Sequence, residues 1–116
     1  VVISFWATWC SPCLQELIAM SNYYESYHSK GVQFIAISID DVKTQVKVPA
    51  VVRMRKFPFL ILLDPDQKIF KQFLGDYPPL TLVLDSNGRI IYKHVGYQKG
   101  DEKKLFAFLD TLLETK

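Results

Sequence analysis

Apolar residues run almost unbroken through Val1-Val2-Ile3-Ser4-Phe5-Trp6. A β-branched run of that kind predicts a strand covered on both faces in the middle of a sheet. The period then changes. Leu14, Leu17, Ile18, Met20, Tyr24 and Tyr27 recur at three- and four-residue spacing until Lys30-Gly31, which predicts one amphipathic helix over 11–29 with a glycine stop. Val32 to Ile39 returns to a β-branched run that ends at Asp40-Asp41. Strand, helix and strand form a βαβ unit, with a parallel pair and a right-handed crossover. The stretch 41–56 is mixed; Pro49 fits only a first helical turn, so a short helix is expected from about Val48.

Phe59 to Leu63, bounded by Pro58 and by Asp64-Pro65-Asp66, reads as a brief strand running into a turn, and Ile69, Phe70, Phe73 and Leu74 suggest a short helix before Gly75. Leu80–Leu84 and Ile90–Val95 flank a segment containing Asn87-Gly88, the pair that most strongly signals an antiparallel hairpin. Asp101 caps a final helix whose Leu105, Phe108, Leu109 and Leu112 make one apolar face, widened by Phe106 and Leu113. The expected architecture is α/β: a central mixed sheet, in which a parallel βαβ half joins an antiparallel ββα half, flanked by helices. No repeat, low-complexity tract or linker divides residues 1–116, so a single domain is expected. A chain rarely opens on a buried strand, and we expect that further segments precede Val1.

Composition narrows the function classes. Fourteen Lys and Arg against twelve Asp and Glu, in a chain with 49% hydrophobic residues, argue against disorder and give no electrostatic footprint for nucleic acid. No apolar run reaches the roughly 18 residues of a membrane span. Two cysteines cannot staple a scaffold, so any thiol chemistry is local.

Both cysteines lie in Cys10-Ser11-Pro12-Cys13, after the first strand and at the opening of the first helix. Two intervening residues let the sulfurs meet in one turn, and the helix N-terminus offers unpaired N–H groups and partial positive charge that favour thiolate. Thiolates in such settings titrate at roughly 3.5 to 7.5 rather than near 8.5. Cys10 is the expected nucleophile and Cys13 the resolving thiol. A zinc site would need two further ligands, and His28 and His94 stand in no paired ligand spacing. Haem attachment would need histidine where Leu14 stands. A purely structural disulfide would close too small a loop to stabilise much by chain entropy. No cofactor or metal is expected. Pro12 fixes φ in the first helical turn and, with Ser11, shapes the loop. Trp6 reads as core, whereas Trp9 is expected to cover the active-site surface. Lys43, Lys47, Arg53, Arg55 and Lys56 read most simply as a solvated face.

Phe5-Trp6-Ala7-Thr8-Trp9-Cys10-Ser11-Pro12-Cys13 resembles the active-site signature of thioredoxin-fold proteins. The wording is most similar to the TlpA/ResA-like branch, which Gly31–Ser38, Leu63–Asp66 and Leu82–Ile90 also resemble. The resemblance spans nearly the whole chain but lacks that family's N-terminal hairpin. It implies a thiol:disulfide oxidoreductase that exchanges its dithiol or disulfide with protein thiols and disulfides and is supplied by an upstream electron donor. Relatives work outside the cytoplasm, in the periplasm or cell envelope, as reductants. A dithiol oxidase of the same fold and a non-catalytic binding module with a structural disulfide are the alternatives. The resemblance also implies a cis-proline facing the cysteines at Pro79, with Pro78 as the registry alternative. If Pro79 is cis, Pro78 occupies the place where a substrate backbone pairs, and it lacks the N–H. Ser4 stands where thioredoxins keep a buried aspartate. By resemblance a proton relay falls on Asp41 or, one residue off, Asp40; the plain alternative is that both are solvated turn carboxylates capping the next helix.

Overall fold

The computed structural model describes residues 1–114. Its five-stranded sheet has the order β3-β2-β1-β4-β5, so β1 (Val2–Trp6) is central and all five of its residues are buried. β2 (Phe34–Ser38) and β3 (Leu60–Leu63) run parallel to it on one side, while β4 (Leu80–Leu84) and β5 (Ile90–Val95) complete an antiparallel half on the other. Both halves agree with the sequence pattern. The hairpin turn closes as its residues require: Gly88 takes φ 81°, and Asp85 accepts the N–H groups of Asn87 and Arg89 at 2.9 Å each. β3 is an edge strand, which leaves Leu60, Leu62 and Leu63 exposed.

The pleat sorts the central strands into two faces. Ile3 and Phe5 align with Ile35, Ile37, Leu80 and Leu82, whereas Val2, Ser4 and Trp6 align with Phe34, Ala36, Ser38, Thr81 and Val83. On the first face the short helix α4 (Lys68–Gln72) sets Phe70 against Phe5, with ring centroids 5.2 Å apart. Asp64 accepts the N–H groups of Ile69 and Phe70 and so holds the start of α4. On the second face α1 (Ser11–Ser21) sets Glu16 against Ser4 and Thr81, and α5 (Asp101–Glu114) sets Phe106 against Phe34. Between β2 and β3, a 3-10 turn at Gln45–Lys47 leads into α3 (Val48–Arg55), with Pro49 in its first turn as expected. Phe57, just beyond α3, meets the buried Trp6 edge-on.

The single helix expected over 11–29 is two, α1 and α2 (Tyr24–His28), separated at Asn22-Tyr23. Periodicity continued through a segment whose Ser21-Asn22 pair favours local bonds over the helical ladder. Ser21 bonds back to the Leu17 carbonyl at 2.8 Å, and the Asn22 and Tyr23 N–H groups tighten onto the carbonyls of Ala19 and Met20. The break places Tyr23 flat on Phe106 of α5, with centroids 4.2 Å apart, while Tyr24 packs on Phe34 and Phe59.

Gly75 is fixed by packing. A Cβ there would lie 2.4 Å from Cε1 of Phe70, and that ring is only 1% exposed and cannot swing away. Gly75→Ala is expected to destabilise the fold by about 1–3 kcal/mol, read as a lowered urea midpoint at unchanged m-value; an unchanged midpoint would show that the ring has room.

Candidate active site

The crossover order brings the loop after β1, the loop after β2 and the segment before β4 to the carboxyl edge of the parallel strands, where open α/β sheets place their sites. Cys10 is the N-cap residue of α1, Pro12 lies in the first turn, and Cys10 and Cys13 form a disulfide. The Cys13 N–H donates to Cys10 Sγ at 3.3 Å. The two cysteines differ in access: Cys10 is 6% exposed and Cys13 fully enclosed. The outer position therefore suits first attack and the inner one resolution. Trp9 is 58% exposed beside them, whereas Trp6 is fully buried. The peptide bond between Pro78 and Pro79 is cis, so Pro79 is the cis residue. Its carbonyl accepts the Gly96 N–H at 2.8 Å, joining the segment to the end of β5.

The two carboxylates after β2 take different places. Asp40, 1% exposed, accepts the Thr8 backbone N–H at 3.0 Å, the Thr8 hydroxyl at 2.5 Å and the Ser38 hydroxyl at 2.6 Å. It clamps the loop leading to Cys10. Asp41 accepts the Thr44 and Lys43 N–H groups and is held below the ordinary carboxylate range mainly by those bonds. Its exposed carboxylate thus caps the following turn.

The buried carboxylate on the cysteine-bearing helix is Glu16, which pattern reading missed. It sits one turn beyond Cys13 on the inward side of α1. Thr81 of β4 donates to its Oε1 at 2.9 Å and Ser4 of β1 to the same oxygen at 3.4 Å. Burial pushes its pKa from 4.5 to about 7, against the two hydroxyl bonds that favour the anion. Ser4 sits in the middle of β1, and the carboxylate that reaches it comes from α1. One signal was available: on a 100°-per-residue wheel Glu16 lies about 60° from Cys13, flanking the Cys13-Leu17-Met20 stripe.

Glu16 makes stability pH-dependent with a definite sign. Its folded pKa is raised, so the native state keeps a proton that the unfolded chain releases. Its contribution to stability falls as pH rises from about 4.5 to about 7 and is level above that. The shift from 4.5 to about 7 corresponds to roughly 3 kcal/mol. Glu16→Gln should flatten this decline in urea unfolding series and be the more stable protein at pH 8. Parallel slopes in the two proteins would mean that burial does not penalise the anion.

A family model described as Redoxin matches residues 1–109. The thiol-disulfide oxidoreductase ResA of a Bacillus cereus strain is 30% identical over 102 residues, covering 88% of this chain and 58% of the relative. ResA of Bacillus subtilis is 28% identical over 91 residues, covering 78% and 50%. The chain thus spans little more than half the length of these curated relatives. Among solved structures, one from Chlorobium tepidum assigned as a thiol:disulfide interchange protein DsbE superposes with a TM-score of 0.88 at 25% identity, covering 97% of this chain and 78% of that one. A thioredoxin-like protein from Porphyromonas gingivalis superposes at 0.84 with 33% identity, covering 97% and 74%. Because the family match runs from β1 into α5 and is not confined to the cysteine motif, the chain belongs to the Redoxin family, with a thioredoxin-like fold.

Proposed function

We propose that the chain is a thiol:disulfide oxidoreductase that reduces disulfides of protein substrates outside the cytoplasm. The observation that carries the reading is the Cys10–Cys13 disulfide at the start of α1, with the enclosed Glu16 one turn behind it. In the reduced protein the Cys10 thiolate attacks one sulfur of the substrate disulfide. That S–S bond breaks, the second substrate sulfur leaves as thiolate, and a mixed disulfide holds the two chains together. Cys13 then gives its proton to ionised Glu16 and attacks Cys10 Sγ. The mixed disulfide breaks, the substrate leaves with both electrons, and the internal disulfide remains. An upstream donor returns two electrons, with protonated Glu16 supplying the proton to Cys13 as its sulfur departs. A group titrating at about 7 can serve both directions. A solely structural disulfide would have no use for a carboxylate kept half-protonated beside it.

Exchange at Cys10 also decides how a substrate is gripped. Pro78 precedes the cis bond and offers a passing chain a carbonyl but no N–H. Pro78→Thr should therefore lengthen the lifetime of mixed disulfides trapped in a Cys13→Ser background, because a backbone donor is regained; an unchanged lifetime would remove Pro78 from substrate binding.

Direction is tested by the equilibrium potential of the cysteine pair, read by alkylating free thiols across a dithiol/disulfide buffer series. A value at or below about −250 mV is expected for a reductant; one near about −120 mV would make the protein an oxidase. In the same assay Cys10→Ser should abolish exchange, and Cys13→Ser should accumulate the mixed disulfide with protein substrates. Absence of that adduct would leave a binding module whose disulfide is structural.

A further inference from the structure

The buried carboxyl of Glu16 sits under a second polar cluster that the exchange steps above do not use. Strand register sets His94 of β5 directly opposite Thr81, the residue that bonds Glu16, so both side chains lie on the α1 and α5 face of the sheet. His94 Nε2 is 3.0 Å from Asp101 Oδ2. Asp101 also accepts the Gln98 N–H at 2.8 Å. Next to it Glu102, buried, accepts the Tyr97 hydroxyl and the Gly100 N–H, the latter at 2.9 Å. A cleft of about 350 Å³ between α1 and the start of α5 is lined by Gln15 on one side and by Tyr97, Lys99 and Glu102 on the other.

We propose that the Asp101–Glu102 pair in the first turn of α5 is a positioning element for thiol exchange, acting through space on Glu16. This rests on Glu16 being the proton-handling group. The N-terminus of a 14-residue helix presents partial positive charge, which by itself would favour the Glu16 anion. Two carboxylates in that first turn reverse the sign. Both are anions when Glu16 is not: the Gln98 N–H, foremost, holds Asp101 low, and for Glu102 burial is outweighed by Tyr97 and Gly100. Both charges raise Glu16 in turn, after burial has done most of the work. Other charged or titratable groups around the cluster are Tyr92 and His94 on β5, Tyr97 and Lys99 in the turn, and Lys103 and Lys104 on α5. The three lysines are exposed and their fields are screened by water. His94 is hydrogen-bonded to Asp101. The pair therefore keeps a proton available on Glu16 near neutral pH, where the return of electrons to Cys13 requires one.

The test reads Glu16 itself. The oxidised protein, labelled with ¹³C at the glutamate carboxyls, is titrated across the neutral range, and the Glu16 resonance is identified as the one missing from Glu16→Gln. Asp101→Asn and Glu102→Gln each keep the hydrogen-bond acceptor and remove the charge. Each should lower the Glu16 midpoint by about 0.5 pH unit or more, and move the pH profile of disulfide reduction by the same amount. Tyr97→Phe, which leaves the Glu102 charge in place, should not lower it. Two variants make the test independent of either one folding. An elevated wild-type midpoint that neither charge removal lowers would overturn the inference and leave the Glu16 reading intact. A wild-type midpoint in the ordinary carboxylate range would overturn both.

Discussion

A cysteine pair at a helix N-terminus is chemically useful only if that terminus cannot drift, and here Asp40 prevents it. Its buried carboxylate gathers the Thr8 N–H, the Thr8 hydroxyl and the Ser38 hydroxyl, so the loop from β1 into α1 is bound to the end of β2. The strand ends are bound to one another in the same region. Ile39 donates to the Trp6 carbonyl at 2.8 Å and Asp64 to the Ser38 carbonyl at 2.7 Å. Cys10 therefore rides on three parallel strands at once, and the position of its sulfur is set by the sheet, not by the loop. Charge-assisted bonds to backbone N–H groups in an enclosed site are strong and directional, which is what such a clamp needs.

The fixed terminus creates an electrostatic problem that the rest of the face answers. Positive potential at the start of α1 favours thiolate at Cys10, but the resolving step needs the enclosed Cys13 to lose a proton and later regain one. An ordinary carboxylate, ionised at neutral pH, could take that proton but could not give one back. Burial of Glu16 between Ser4 and Thr81 raises its pKa to about 7, which supplies both states. The hydroxyls matter because they satisfy one carboxyl oxygen without contributing charge. They keep the group buried at a tolerable cost.

How much of this was legible in the sequence depends on how local the signal was. β1, the Asn-Gly hairpin and α5 were readable because each carries its own period or turn chemistry within a dozen residues, and the thiol pair because spacing and a helix start coincide at Cys10. The break at Asn22-Tyr23 was not, since Tyr24 and Tyr27 continue the apolar stripe and the deciding contact, Tyr23 on Phe106, lies far along the chain. Glu16 was hidden for the converse reason. A single acid beside an apolar stripe reads as a solvated flank, and only the antiparallel arrival of Thr81 from β4 turns that flank inward. Asp40 and Asp41 are adjacent in sequence yet one is enclosed and the other is a turn cap, a difference that follows from Asp40 pointing back along β2 to Ser38 and Thr8.

The same non-local geometry explains why a serine stands at the middle of β1. An acid at Ser4 would occupy the space that Glu16 fills, because the two side chains meet at 3.4 Å. Two carboxyls at that distance cannot both ionise, and one would stay neutral across the neutral range. Moving the carboxyl from the strand to the helix changes what tunes it. A strand acid would be governed by the sheet around it, whereas Glu16 faces the start of α5 and feels Asp101 and Glu102. The proposed proton-handling group is in this way exposed to a part of the chain where length, capping and charge can vary without disturbing the central strands.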